Sequence, residues 1–135
     1  MDKVFVDTDI ILDLLGDREP FSIHSASLFS AADKGKIVIY VSALSFANLN
    51  YLLTRQYTKE ISRKKLLLFK TLVTVLPVTD KIIELALASD FNDFEDAIQY
   101  STAIEHDIKV LLTRNLKDFK SAAIPVLTAE QYMEG

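Results

Sequence analysis

The sequence contains no cysteine, and it has only two histidines, three glycines and three prolines among its 135 residues. Without cysteine, the chain can form neither a disulfide framework nor a thiolate zinc site, and it has no cysteine nucleophile. Two histidines leave little material for a histidine-based metal site or a catalytic triad. Because glycine and proline are scarce and 50% of the residues are hydrophobic, the composition predicts a compact globular fold.

Neither charge nor hydropathy favours a membrane protein or a general polyanion-binding protein. The formal net charge is −4 at pH 7, which argues against a basic domain that binds nucleic acid over its whole surface. The apolar runs are too short for a signal peptide or a membrane span. We therefore expect one domain covering residues 1–135, in the cytoplasm and without membrane association.

One segment nevertheless concentrates positive charge. Its basic residues are Arg55, Lys59, Arg63, Lys64, Lys65 and Lys70. A solvated face of an amphipathic helix explains this segment most simply, and contact with phosphates is the alternative.

Short, β-branched apolar runs alternate with segments of helical periodicity along the chain. The predicted strands cover approximately residues 3–7, 37–41, 73–78, 110–112 and 124–127. The predicted helices cover approximately residues 9–15, 22–34, 42–57, 59–70, 80–89, 94–107 and 128–133. This alternation predicts an α/β fold, in which a central parallel sheet of four to five strands is flanked by helices on both faces. Pro77 predicts that the third strand is an edge strand or ends there.

Acidic residues recur where the predicted elements meet one edge of the sheet. Asp7 ends the first strand and Asp9 follows it, Asp96 lies in the first turn of a helix, and Asp118 follows the fourth strand. The carboxyl ends of parallel strands share one edge, where ligands of open α/β sheets bind. We therefore expect Asp7, Asp96 and Asp118 to meet there.

Each of these acids also has a purely structural explanation. Asp7 and Asp9 could cap the first helix, Asp93 and Asp96 suit a helix N-terminus, and Asp118 could lie in an exposed turn. Several carboxylates at one edge would repel each other, and this repulsion would raise their pKa values. A bound divalent cation would remove the repulsion. An oxygen-only ligand set suits Mg²⁺ or Mn²⁺.

Four stretches together resemble one known family. They are Val6-Asp7-Thr8-Asp9, Val41 to Ser45, Asp93 to Gln99, and Leu112 to Phe119. In order and spacing they resemble the PIN-domain family, which includes the VapC-type toxins of bacterial toxin–antitoxin pairs, across nearly the whole chain. The resemblance implies a PIN-like fold and a Mg²⁺- or Mn²⁺-dependent endoribonuclease that hydrolyses single-stranded RNA as the toxin of such a pair.

The resemblance also assigns roles to individual residues. Asp7, Asp96 and Asp118 match three acids of the family's metal-holding quartet and are the expected catalytic and metal-binding residues. Arg114 and Lys117 are the expected contacts to the RNA backbone. The expected accessory residues are Thr8, Asp9, Asn48, Asp93, Thr113 and Asn115.

Asn48 departs from the family pattern, because it stands where the second acid of the quartet, a glutamate, is usual. An amide offers a neutral oxygen and no charge. Either the neighbouring acids Asp9 and Asp93 compensate, or the chain is a degenerate PIN domain that binds RNA or a protein partner without catalysis.

The resemblance further implies a homodimer and an antitoxin protein as partners. Candidate contact residues are Leu14, Leu15, Phe21, Tyr51, Leu52 and the helix near 59–70. A rival interpretation starts from Val4 to Asp9, which also resembles the opening of haloacid-dehalogenase-type phosphatases, where the first aspartate is a nucleophile. Ile10 occupies the position where those enzymes have a small residue, which disfavours that interpretation.

Overall fold

Five strands form one sheet in the computed structural model, which describes residues 1–135, and every neighbouring pair of strands is parallel. The strand order is β3-β2-β1-β4-β5, so that β1 is central and β3 and β5 are the edges. The strands are β1 (Asp2–Val6), β2 (Ile37–Ser42), β3 (Thr74–Leu76), β4 (Leu111–Leu112) and β5 (Val126–Leu127). The predicted α/β fold is confirmed.

Seven helices and one 3₁₀ turn complete the chain. The helices are α1 (Thr8–Leu15), α2 (Ser22–Asp33), α3 (Ala43–Leu53), α4 (Lys59–Lys70), α5 (Asp80–Leu87), α6 (Phe94–Glu105) and α7 (Ala129–Glu134), and the 3₁₀ turn covers Leu116–Phe119. No helix has both the length and the apolar character needed to cross a bilayer.

The element boundaries differ from the predicted ones in two instructive places. The third strand ends at Leu76, directly before Pro77, and it is an edge strand as the proline predicts. Helix α3 ends at Leu53, four residues earlier than predicted, because residues 54–57 make turn hydrogen bonds. Thr58 then caps α4 by accepting a hydrogen bond from the Ile61 amide at 3.2 Å.

The central strand is buried on both of its faces. Side chains alternate along a strand, so Val4 and Val6 enter the larger core cluster while Phe5 enters a second cluster with Leu111 on the opposite face. All of these side chains are 0% exposed. Helix layers on both faces explain why β1 is a continuous apolar run without polar alternation.

Backbone hydrogen bonds join the end of β1 to β4, and the end of β4 to β5, at the edge where the predicted acids lie. The Asp7 amide donates to the Leu112 carbonyl at 2.9 Å, and the Thr113 amide donates to the Leu127 carbonyl at 2.9 Å. Helices α1 and α3 begin directly after β1 and β2. The segments that follow β1, β2 and β4 therefore lie at one edge of the sheet, and α6 begins at the same edge.

Candidate active site

Asp7 is the most enclosed acid of the site. It is 5% exposed, and it caps α1 by accepting a hydrogen bond from the Thr8 amide at 2.8 Å. The Thr113 hydroxyl donates to the other carboxylate oxygen at 2.9 Å. Burial raises the pKa of Asp7 to about 8, and the nearby charge of Asp9 adds to the rise. The helix cap and the predicted metal ligand are thus the same residue.

A buried polar network supports Asp7 from below, and its centre is Gln99, which is 0% exposed. The Gln99 amide oxygen accepts from the Ser42 hydroxyl at 2.6 Å. Its nitrogen lies 2.9 Å from Ser45 Oγ, 3.1 Å from Thr8 Oγ1 and 3.4 Å from Asp7 Oδ1. A primary amide has only two hydrogens for these three oxygens. The longest contact, the one to Asp7, is therefore the weakest of the three.

Gln99, Ser42 and Ser45 were not predicted as site residues from the sequence, although Gln99 lies within one of the four family-like stretches. A signal was present, because Gln99 follows Asp96 by three residues and so lies on the same face of α6. Its neighbours Ala97, Ile98 and Ala103 are buried and apolar. A glutamine in such surroundings needs polar partners.

Asp9 lies beside Asp7 and is tied to the segment after β4. Its Oδ2 accepts from the Arg114 amide at 3.0 Å and lies 3.3 Å from Thr113 Oγ1, whose one hydrogen is closer to Asp7. Its other oxygen, Oδ1, is buried without any hydrogen-bond partner. Burial raises the pKa of Asp9 as well. An unpaired buried carboxylate oxygen is costly, and a cation would satisfy it.

Arg114 forms a two-point ion pair with Asp13, a residue that the sequence analysis did not assign to the site. Nε and Nη2 of Arg114 lie 2.7 and 3.1 Å from the Asp13 carboxylate, which is 1% exposed. The guanidinium also lies over the Phe21 ring, 4.0 Å from its centroid. The predicted RNA contact is therefore also an anchor of the Thr113–Arg114 turn, with two of its donors already engaged.

The opposite wall of the site is the first turn of α6. Asp93 caps this helix by accepting from the Asp96 amide at 2.9 Å. Burial and four neighbouring carboxylates raise the pKa of Asp96 to about 7. In decreasing order of effect, those carboxylates belong to Asp93, Asp118, Glu95 and Asp9. Asp96 therefore shares one electrostatic environment with acids from two other segments, Asp9 on α1 and Asp118 on the 3₁₀ turn.

Asn48, on α3, points to this wall. Its Nδ2 donates to Oε1 of Glu95 at 2.7 Å. Burial, and next the charge of Asp93, raises the pKa of Glu95, whereas the Asn48 hydrogen bond lowers it. The sequence analysis expected Asp9 or Asp93 to compensate for Asn48. The side chain that the structure places against Asn48 is Glu95.

The remaining predicted residues lie on and before the 3₁₀ turn. Asp118, Lys117 and Asn115 are exposed. The Asn115 amide donates to the Thr113 hydroxyl at 3.1 Å, which helps to orient that hydroxyl towards Asp7. The charge of Asp118 contributes to the raised pKa of Asp96.

These residues fit a hard divalent cation by their chemistry. As the side chains stand, no three acidic or histidine side chains form a ready cluster that could hold an ion. The donors are nevertheless all oxygens, burial and then mutual repulsion raise the pKa values of Asp7 and Asp96, and Asp9 has a buried oxygen without a hydrogen-bond partner. Mg²⁺ and Mn²⁺ suit such a set of oxygen donors.

An all-parallel sheet with acids at its carboxyl edge defines a class of small α/β proteins with an acidic ligand-binding centre. Within that class, the chain belongs to the PIN-domain family, whose model, described as a PIN domain, matches residues 3–117. One relative, ribonuclease VapC1 from Aquifex aeolicus (strain VF5), is 30% identical over an alignment of 142 positions. The alignment covers 98% of this chain and 94% of the relative.

Solved structures share the fold. The DNA-bound VapBC of Salmonella typhimurium superposes with a TM-score of 0.72 at 19% identity, covering 96% of this chain and 99% of the other. VapC20 of Mycobacterium tuberculosis, a sarcin-ricin loop cleaving toxin, superposes with a TM-score of 0.65 at 20% identity, covering 80% of this chain and 86% of the other. The PIN-like architecture expected from the sequence is confirmed.

Proposed function

We propose that this protein is a metal-dependent endoribonuclease that hydrolyses single-stranded RNA and is the toxin of a toxin–antitoxin pair. The observation that carries the proposal is the shared electrostatic environment of Asp7, Asp9, Asp96 and Asp118 at one sheet edge of a PIN fold. The similarity to a VapC ribonuclease over nearly the whole chain supports the same activity.

Asp7, Asp96 and Asp118 would hold Mg²⁺ or Mn²⁺, with Asp9 beside them. The chemistry that such a cation supplies when bound is activation of a water and neutralisation of charge on the phosphate. The buried network around Gln99 and Thr113 holds the Asp7 carboxylate in one orientation. A fixed carboxylate contributes by positioning, because no reorganisation is needed when the substrate binds.

RNA would approach from the side of the 3₁₀ turn. A cavity of about 340 Å³ lies there, and among its lining residues are Phe91, Lys117, Asp118 and Lys120. The two lysines can contact phosphates without base preference. Lys117 is therefore a stronger candidate for a backbone contact than Arg114, whose guanidinium is held by Asp13.

We also propose a cytoplasmic homodimer that binds an antitoxin. The solved VapBC relatives are toxin–antitoxin complexes. This chain exposes large apolar side chains on α3 and α4, where Tyr51, Leu67 and Leu68 are 63%, 68% and 62% exposed. Sedimentation of the purified chain tests the dimer, and a mass near 15.2 kDa would contradict it.

The test of the catalytic proposal is cleavage of a fluorescent single-stranded RNA with Mn²⁺ by the wild type and by Asp96→Asn. We expect the substitution to lower the cleavage rate by about a thousandfold or more, and EDTA to abolish wild-type cleavage. Equal cleavage by both proteins would refute the assignment of Asp96. RNA binding without turnover in any divalent ion would favour the alternative, a PIN domain without catalysis, to which Asn48 points.

A further inference from the structure

We infer that Glu95 supplies the carboxylate that the chain lacks at position 48, and that Asn48 positions Glu95 for this role. The inference rests on the proposed function, because it concerns the same metal centre. It deepens that proposal by naming a ligand that the resemblance does not provide. Glu95 would act on the cation directly or through one water of its shell.

The contact between the two side chains is direct and crosses the site. Asn48 lies on α3 and Glu95 in the first turn of α6, and 47 residues separate them in the sequence. Asn48 Nδ2 donates to Glu95 Oε1 at 2.7 Å. An ionised carboxylate only accepts hydrogen bonds, so the amide must turn its nitrogen towards Glu95. Asn48 therefore acts as a hydrogen-bond donor to Glu95 through Nδ2.

The hydrogen bond leaves Glu95 able to bind a cation. Only Oε1 is engaged, so Oε2 can turn towards the centre, and Glu95 is exposed enough for a hydrated ion to reach it. Its neighbour in the sequence is Asp96, whose pKa it helps to raise. The Glu95 carboxylate thus lies next to one predicted metal ligand, Asp96, in the first turn of α6.

The arrangement also explains why an amide is compatible with an active site. A glutamate at position 48 beside Glu95 would place two carboxylates in contact, and they would repel each other. Asparagine instead stabilises the Glu95 carboxylate with a charge-assisted hydrogen bond. The total number of carboxylates around the cation is then unchanged, and one of them comes from α6 instead of α3.

Calorimetric titration with Mn²⁺ tests the role of Glu95 without measuring catalysis. We expect Glu95→Gln to weaken Mn²⁺ binding by about tenfold or more, while its far-ultraviolet circular dichroism stays that of the wild type. The matched control is Glu60→Gln, which removes an exposed acid from the first turn of α4. It should bind Mn²⁺ as the wild type does. Equal affinity of Glu95→Gln and the wild type would overturn the inference.

A carboxylate swap separates ligation from simple loss of charge near the site. The double variant Asn48→Glu with Glu95→Gln moves the carboxylate from α6 to α3 and keeps the amide partner. We expect it to recover Mn²⁺ affinity to within about threefold of the wild type, a strongly non-additive result. An affinity as low as that of Glu95→Gln alone would contradict the compensation.

Two further variants distinguish failure of this inference from failure of the proposed function. Asp7→Asn and Asp96→Asn should each abolish measurable Mn²⁺ binding if the metal centre exists. If they do so while Glu95→Gln binds normally, only the role of Glu95 is wrong. If both bind Mn²⁺ like the wild type, the metal centre itself is wrong, and with it the proposed function.

Discussion

The two walls of the candidate site are built on different principles. The wall formed by β1, β4 and the start of α1 is buried, and hydrogen bonds from Thr8 and Thr113 fix the Asp7 carboxylate. The wall formed by the first turn of α6 is more exposed. The pKa values of its acids Glu95 and Asp96 are raised mainly by partial burial and by repulsion from neighbouring carboxylates. The first wall therefore holds its acid by several buried hydrogen bonds, whereas the second holds Glu95 by a single hydrogen bond from Asn48.

The buried acids Asp7 and Asp13 differ in whether a positively charged group is paired with them. Burying Asp7 without a positive partner at its own carboxylate favours the protonated form. Asp13, equally buried, is paired with Arg114 instead. Arg114 thus neutralises Asp13, the acid that anchors the turn. No positive group neutralises Asp7, the acid that would bind the metal, and such uncompensated acids are common at functional sites.

The largest effect that separates the two walls is expected from pH. The pKa of Asp7 is raised to about 8 in the folded state, so the folded protein binds more protons than the unfolded chain between its ordinary value near 4 and 8. The free energy of unfolding therefore falls as pH rises through this range. With EDTA present, we expect a decrease on the order of 4 kcal/mol between pH 5 and pH 9.

Urea unfolding at several pH values measures this slope. Asp7→Asn should remove most of it. Asp96→Asn should remove less, because its pKa is about 7 and its side chain is less buried. A slope that is unchanged in Asp7→Asn would show that the two walls do not differ in this way. Added Mn²⁺ should restore stability at pH 9, since a cation replaces the proton.

A smaller effect is expected from breaking the anchor of the first wall. Asp13→Asn leaves the partly buried Arg114 guanidinium without its carboxylate, which should cost about 3 kcal/mol of unfolding free energy. The Thr113–Arg114 turn should then loosen and lower the cleavage rate. The control is Asp33→Asn, an exposed acid at the end of α2. Equal stability of both variants would contradict the anchoring role.

The smallest of the three effects concerns the polar network. Gln99→Ala removes the hydrogen-bond partner of the buried Ser42, Thr8 and Ser45 side chains. We expect a loss of about 2 kcal/mol in chemical denaturation, because buried polar groups stay unsatisfied. Asn92→Ala, which truncates an exposed amide, should change stability by less than about 0.5 kcal/mol. A Gln99→Ala protein as stable as that control would show that the network contributes nothing.

The sequence predicted the fold and the edge of the sheet at which the acids lie. The apolar run ending at Asp7 and the helix beginning near Asp96 were sufficient, because parallel topology brings such positions to one edge. Gln99 and Asp13 were missed, since their roles depend on partners that are far away in the sequence. Gln99 contacts Ser42 across 57 positions, and Asp13 contacts Arg114 across 101.

The partner of Asn48 could not be read from the sequence for a similar reason. Asp93 and Asp9 were the expected substitutes, but the acid that contacts Asn48 is Glu95, while Asp93 caps α6 and Asp9 Oδ2 accepts from the Arg114 amide. Which acid reaches Asn48 depends on how α3 and α6 pack against each other. Periodicity identifies each helix but does not specify their relative rotation.

The central claim is that carboxylates from distant parts of the chain converge on one cation. Crystals grown with Mn²⁺ and measured at a wavelength where manganese scatters anomalously test it most directly. We expect a peak within coordination distance of both Asp7 and Asp96, with Glu95 in its first or second shell. A protein that shows no peak there at millimolar Mn²⁺, or a peak only at unrelated surface acids, would contradict it.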